Sequence, residues 1–292
     1  MKRLVIIFLI LLANISFAQE KPAYVIYDNQ GKKIDYGTML NGLVKSDIVF
    51  FGELHNNPIS HWLELQLAKD LYSHKKNKLV IGAEMFEADN QIIIDEYFKD
   101  LIKTSSFENE CRLWPNYKTD YKPILEFAKS KKIKFIATNI PRRYAAIVAK
   151  KGFEGLKNVS QEARKYIAPL PINYDPNLPC YKNMLNMGKH IKGMMGPAKN
   201  INLPKAQAIK DATMAYFILK NLKKGDMFYH FNGAYHSDNY QGIVWHIKIS
   251  DKKKIIKTIT TVMQKDLSSI DSETRKKADY IIVVPEDMTT TY

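Results

Sequence analysis

"DIVFFGELHNNPISHWLE", residues 47–64, is the stretch on which the fold turns. After Asp47 it runs Ile48-Val49-Phe50-Phe51 without a polar break, as a strand buried on both faces does. Gly52 interrupts the run. Asn57 is a natural helix N-cap and Pro58 suits the first helical position, so strand, turn and helix follow one another within eighteen residues. Between strand and helix stand Glu53 and His55. In extended chain, residues two apart point to the same side, so this carboxylate and imidazole face one space together.

Working outward, the same alternation recurs. Short β-branched and aromatic runs at 47–51, 79–83, 134–138 and 226–231 predict strands, and 242–249, 253–262 and 279–284 add three more. Helical periodicity predicts helices over 58–72, 89–101, 122–131, 142–150 and 205–222. This order predicts an α/β fold with a largely parallel sheet. Residues 151–204 carry no strand signal and six prolines, and they read as an inserted helical cap, since so long a structureless loop is foreign to a compact domain. Within it Met184, Met187, Ile191, Met194 and Met195 recur at helical spacing around His190. That stripe fits core packing. It also fits an adaptable apolar pocket wall, with His190 or a thioether as a soft ligand.

Four strand ends carry polar groups that cores avoid: Glu53 and His55, then Glu84, then Asn139 ahead of Pro141-Arg142-Arg143, then Asn232 and His236. Right-handed crossovers bring the carboxyl ends of parallel strands along one edge, where open α/β sheets bind ligands. Glu53, His55, Glu84 and His236 together offer O and N ligands to a divalent metal. They serve equally, without metal, as general base and orienting partner. Singly, each has a structural account: His55 as a helix cap, Glu84 paired with Arg142 or Arg143, His236 in a turn. Agreement of four strand ends favours a functional cleft. His61, six residues after His55, falls on a different part of the following helix, and His74, His230 and His246 read as surface or strand positions. There is no H-E-x-x-H, P-loop, G-x-S-x-G or G-x-G-x-x-G, which weighs against common zincins, nucleotide-binding folds and nucleophile-elbow hydrolases.

The first residues have another character. Lys2-Arg3, the apolar run 4–12 and Ser16-Phe17-Ala18 match a secretory signal peptide cleaved after Ala18, leaving one domain over 19–292 and a periplasmic or secreted protein. No cysteine stands near the cleavage point to take a lipid. The apolar run is well short of the roughly 20 residues that span a bilayer. Export places Cys111 and Cys180 where they can pair, and two separate thiols fit as well. The formal charge of +14 becomes +12 without Lys2 and Arg3, which suits an anionic partner such as lipid headgroups, glycans or a ligand with carboxylates or phosphates. Runs such as "KKNK" and "KSKKIK" also fit solvated helix ends. With no nucleic-acid-binding motif beside them, nucleic acid is not an expected partner.

Five segments together resemble the ChaN family of haem-binding uptake proteins in the Tiki superfamily. "DIVFFGELHNNPISHWLELQLAKDL" resembles its first motif, with G-E-x-H behind a strand. "IGAEMFEADNQ" resembles its second, with Glu84 and Gln91 in place, and "IATNIPRR" its third. "QAIKDATMAYFI" resembles the helix bearing Gln207 and Asp211, and "FNGAYHSDNYQGI" the motif of Gly233 and His236. The matches keep the family's order and span residues 36–243. The resemblance implies a three-layer α/β/α fold, haem or a related small iron ligand bound at a homodimer contact, and a role with envelope machinery in iron uptake. Beneath the 151–204 cap the expected ligand site draws on Asn139, Arg142, Arg143, Asp211 and His190, with the arginines suited to bidentate pairing of the haem propionates. In the family the iron ligand is a tyrosine outside the motifs, and Tyr72, Tyr144, Tyr174 and Tyr181 are the candidates here. Kinship with erythromycin esterases and metal-dependent Tiki proteases implies an alternative, a hydrolase in which Glu53, His55, Glu84 and His236 are catalytic or metal-binding.

Overall fold

The computed structural model describes residues 21–187 and 201–292; the expected signal segment and His190, Ile191, Met194 and Met195 lie outside the described residues. The chain begins with β1 (Val25–Asp28), β2 (Lys33–Ile34), α1 (Tyr36–Leu43), β3 (Ile48–Glu53), α2 (Pro58–Lys75) and β4 (Leu79–Glu87). Next come α3 (Gln91–Phe98), α4 (Thr104–Glu110), a π-helical turn (Tyr117–Tyr121), α5 (Lys122–Ser130), β5 (Lys134–Asn139) and α6 (Arg142–Lys151). Then follow α7 (Gln161–Arg164), α8 (Pro179–Met187), α9 (Leu203–Asn221), β6 (Met227–Gly233), α10 (Ile243–Ser250), β7 (Ile256–Gln264), α11 (Ser272–Arg275) and β8 (Tyr280–Pro285).

The strands form one eight-stranded sheet in the order β2-β1-β8-β7-β3-β6-β4-β5. From β8 to β5 every neighbouring pair is parallel, while β1 pairs antiparallel with both β8 and β2. That antiparallel edge lies outside the parallel reading of the sequence.

Side chains of β3 alternate between two cores. Val49 and Phe51 pack with Leu63 and Leu67 of α2 and Leu125 of α5, whereas Ile48 and Phe50 pack with Ile218 of α9 and Ile247 of α10. Helices therefore cover both faces in a three-layer α/β/α arrangement, which is why the central strands read as unbroken apolar runs. Asn57 caps α2 as its type predicts: its Oδ1 accepts the N–H groups of Ile59 and Ser60, each at 3.0 Å.

One predicted strand is a helix. The run 242–249 forms α10, with Ile243, Val244 and Ile247 buried at helical spacing against the α9 side. A short apolar run suits either element, and here packing decides. Gly242 permits the entry: its φ is +54°, and a Cβ there would stand 2.3 Å from the His236 carbonyl oxygen.

The described part of the 151–204 insertion packs through Leu156 and Ile167 onto Val148 of α6 and Ile209 of α9. Cys111 and Cys180 are unpaired thiols. No helix among the described residues is long and apolar enough to cross a membrane.

Candidate functional site

The polar groups at the carboxyl ends of β3, β4, β5 and β6 meet in a cleft of about 530 Å³ lined by His55, Glu84, Glu87, Leu113, Trp114, Pro115, Asn139, Ile140, Arg142, Lys210 and His236. Glu53 is the last residue of β3 and is 1% exposed. Burial opposes its charge, yet hydrogen bonds from His55 and Glu64 and the nearby His61 hold its pKa below the ordinary carboxylate value. An ionised Glu53 accepts, so Nδ1–H of His55 donates to its Oε1 at 2.7 Å, and the Tyr121 hydroxyl donates to the same oxygen at 2.7 Å. The His55 pKa is raised: burial works against its charge, and the bond to Glu53 and the charge of Glu84 prevail. The ring lies against Trp114, with centroids 4.9 Å apart.

Glu84 reaches the cleft past a register shift in β4. Its Oε2 accepts Gly233 N–H at 2.9 Å, and its Oε1 lies 3.1 Å from Nε2 of His236. The other ring nitrogen of His236 bonds to Asp211 of α9. This imidazole is thus clamped between two buried carboxylates. Burial disfavours its charge, but Glu84 and Asp211 outweigh burial and lift its pKa from 6.5 to about 10. Glu84 is correspondingly pulled down by His236, against the effect of burial. Gln207 also lies beside this ring, its Nε2 3.1 Å from Nδ1.

Glu53, His55, Glu84 and His236 share one neighbourhood as two pairs, not as one ligand set. The His, Cys, Asp and Glu groups that do converge among the described residues are Glu53, His61 and Glu64, whose ligand atoms lie within 4.8 Å of one another. His61 is therefore no remote helix residue: Nδ1 lies 3.3 Å from Glu64, and Nε2 lies 3.1 Å from the His55 carbonyl oxygen and 3.4 Å from Asp120. Burial, then the neighbouring Glu53 charge, raises the Glu64 pKa well above normal.

Arg142 and Arg143 are engaged with protein carboxylates. Arg142 pairs with Glu87 and Arg143 with Asp89 at 2.5 Å, while Arg112 bridges both acids. Glu84 pairs with neither arginine. Lys210 lines the cleft and forms no ion pair among the described residues. Asn139 is buried there, and its Oδ1 has no hydrogen-bond partner among the described residues.

A second, more apolar groove of about 530 Å³ lies between the insertion and helices α9 and α10. Ala168, Pro169, Pro171, Ile172, Ala212, Ala215, Leu219 and Ile249 form its walls, with Tyr216, Lys220 and His246 among them. Of the tyrosines weighed as iron donors, Tyr181 is fully buried and its hydroxyl donates to Asp211 at 2.9 Å. Tyr216, not in that group, is the one in the groove. His246 belongs to α10 and is buried, 3.2 Å from the Tyr181 hydroxyl. His230 is a buried strand residue, bonded to Thr138 and Asn232, and burial lowers its pKa to about 4.

Some of what sequence reading missed left a trace. Lys210 stands three residues after Gln207 and one before Asp211, both already singled out, on one face of α9, and His61 and Glu64 stand at i and i+3 on α2. Trp114 and Tyr121 lie in an irregular segment with no period to mark them. Gln91 is structural: it brackets β5, donating to the Phe135 carbonyl and accepting from Ala137 N–H.

The chain matches no curated protein at a significant level. Among solved structures it is similar to ChaN of Campylobacter jejuni, described with cofacially bound haem: TM-score 0.68, 20% identity, covering 89% of this chain and 96% of that one. It also shares its fold with a mutant of the erythromycin esterase EreC in an open conformation: TM-score 0.51, 11% identity, covering 90% and 97%. Residues 39–247 match the family described as haem-binding uptake, Tiki superfamily, ChaN. Matched over most of its length, the chain belongs to the ChaN family of the Tiki superfamily.

Proposed function

We propose that this chain is an exported haem-binding protein that serves iron uptake at the cell envelope, with haem seated in the groove beneath the 151–204 insertion. The observation that carries this reading is the groove itself, an apolar slot holding a phenol and an imidazole in a chain of the ChaN family. A porphyrin needs flat apolar walls, an O or N donor for iron, and cations for its carboxylates, and the groove residues fit each need. Proline, alanine and leucine side chains supply the walls. Tyr216 and His246 supply the donors, and burial lowers the His246 pKa, which keeps the imidazole in the neutral form that ligates. Lys220 is exposed, with Nζ 5.3 Å from the Tyr216 ring, and takes the propionate role that Arg142 and Arg143, already paired, do not offer. Bound haem would supply ferric iron to one of these donors. A homodimer contact and handover to envelope machinery belong to the same reading.

A haem titration followed at the Soret band tests it. The expected result is a Soret shift at micromolar haem and weaker binding in Tyr216→Phe or His246→Ala. No shift would remove the function. A shift unchanged in both variants and in Lys220→Glu would remove the site.

One observation favours a second reading, a His-assisted hydrolase. The buried Glu53 fixes the His55 tautomer through Nδ1, as the orienting acid of a general base does. Glu84 and the cationic His236 would then hold the polar group undergoing reaction. An ester and peptide screen tests this, with Glu53→Gln expected to lower kcat/KM about a hundredfold or more. Any activity that survives Glu53→Gln undiminished rejects the assignment.

A further inference from the structure

We propose that the amino edge of the sheet, opposite the cleft, is a docking surface for an anionic lipid bilayer. Strands β7, β3, β6, β4 and β5 are adjacent and mutually parallel, so the residues preceding each of them emerge along one edge. Every one of these five loops exposes lysine: Lys45 before β3, "KNK" at 76–78 before β4, a lysine pair at 131–132 before β5, another at 223–224 before β6, and another at 252–253 before β7. None of these exposed lysines forms an ion pair among the described residues; the ion pairs nearby use Lys129 and Lys254 instead. Two of the acidic residues of these loops are turned toward the backbone, with Asp47 accepting Ile255 N–H at 2.8 Å and Asp251 accepting Lys253 N–H at 3.0 Å, and Asp226 is the one further carboxylate among the exposed lysines. Five strands about 4.8 Å apart spread this charge over a line of roughly 20 Å.

The chemistry selects a bilayer over other polyanions. The five loops hold lysine and no arginine, and lysine is a point charge on a flexible stem, suited to a diffuse headgroup layer more than to a fixed bidentate phosphate. They contain no aromatic residue on which nucleic-acid bases would stack. Ile255, 56% exposed beside Lys252 and Lys253, places an apolar side chain among the charges, where it can enter the headgroup boundary. Because the cleft occupies the carboxyl ends of the same strands, docking on this edge turns the cleft away from the membrane.

Co-sedimentation of the purified protein with vesicles tests the proposal, comparing phosphatidylcholine alone with phosphatidylcholine plus phosphatidylglycerol, at low and high salt. Binding is expected only to the anionic vesicles and only at low salt. Each lysine near such a surface contributes roughly a fivefold change in affinity, so reversing Lys131, Lys132, Lys223 and Lys224 together to Glu should weaken binding by about a hundredfold or more. A control with the same change in net charge, Lys118, Lys157, Lys182 and Lys265 to Glu, should stay within about threefold of the parent. All eight positions are exposed, and circular dichroism verifies that both variants are folded. Failure to sediment with anionic vesicles at low salt, equal loss in the two variants, or displacement of vesicles by equimolar heparin or DNA would each overturn it.

Discussion

A Cβ placed on Gly233 would stand 2.5 Å from Nε2 of His55, so the cleft imidazole rests directly on a glycine backbone. The φ of Gly233 is −53°, which any residue adopts, so glycine is required here by close approach rather than by backbone conformation. Its N–H meanwhile holds Glu84. One residue thus seats a histidine of the first motif and a glutamate of the second. Gly233→Ala should displace His55 from Glu53 and cost about 1–3 kcal/mol through overpacking. Thermal denaturation, with NMR titration of the His55 ring, measures both effects; unchanged stability and an unchanged His55 pKa would contradict the close contact.

The clamp on His236 predicts a pH signature. Its folded pKa is raised from 6.5 to about 10, so its stabilisation is fully present below its unfolded value and is lost as pH rises through about 10. Glu84 is depressed from 4.5, so its contribution is present above that value and lost as pH falls toward the lowered one. The stability gap between the native chain and His236→Asn should therefore be widest from about pH 5 to 6.5, narrow steadily as pH rises beyond that, and close above about pH 10. Calorimetry across that range checks it, and a gap that stays constant into strong alkali would rule the clamp out.

Tyr181 connects the two pockets. Its hydroxyl donates to Asp211, the partner of His236 in the cleft, and lies 3.2 Å from Nε2 of His246 in the groove wall. Removing that oxygen leaves buried polar groups without it, so Tyr181→Phe should cost about 1–3 kcal/mol in urea denaturation despite its nearly unchanged shape. A loss below about 0.5 kcal/mol would show that both partners are satisfied otherwise.

Asn57 starts the helix that leads away from the cleft, and its side chain satisfies two N–H groups of α2. Asn57→Ala should lower stability by about 1 kcal/mol, while Asn57→Ser should recover most of it. Equal stability in the two variants would show that the cap contributes nothing.

How much of the site could be read in advance depended on how local its signal was. Ile48-Val49-Phe50-Phe51 with Asn57-Pro58 declares a buried strand and a helix start without reference to any other segment. Glu53, His55, Glu84 and His236 were visible because polar groups at the ends of apolar runs stand out, and parallel strands carry those ends to one edge. Arg142 and Arg143 were visible as cations, but not their engagement by Glu87 and Asp89, which come from another strand and turn. The run after Gly242 was read as a strand because eight apolar-rich residues do not distinguish a strand from a helix, and only the α9 face made it helical.

By itself, then, the sequence determined the parallel α/β core, the cap on α2, the lysine loops and the identity of the polar strand ends, because each is a property of neighbouring residues and chain direction. Only the tertiary structure decided the partners. His61 and Glu64 join Glu53, Asp211 holds His236 and Tyr181, and Tyr216 enters the groove because helices and strands distant in sequence pack at one place. The state of a buried charge follows from those neighbours: Glu53 and Glu64, both buried glutamates, are pushed in opposite directions by the company each keeps.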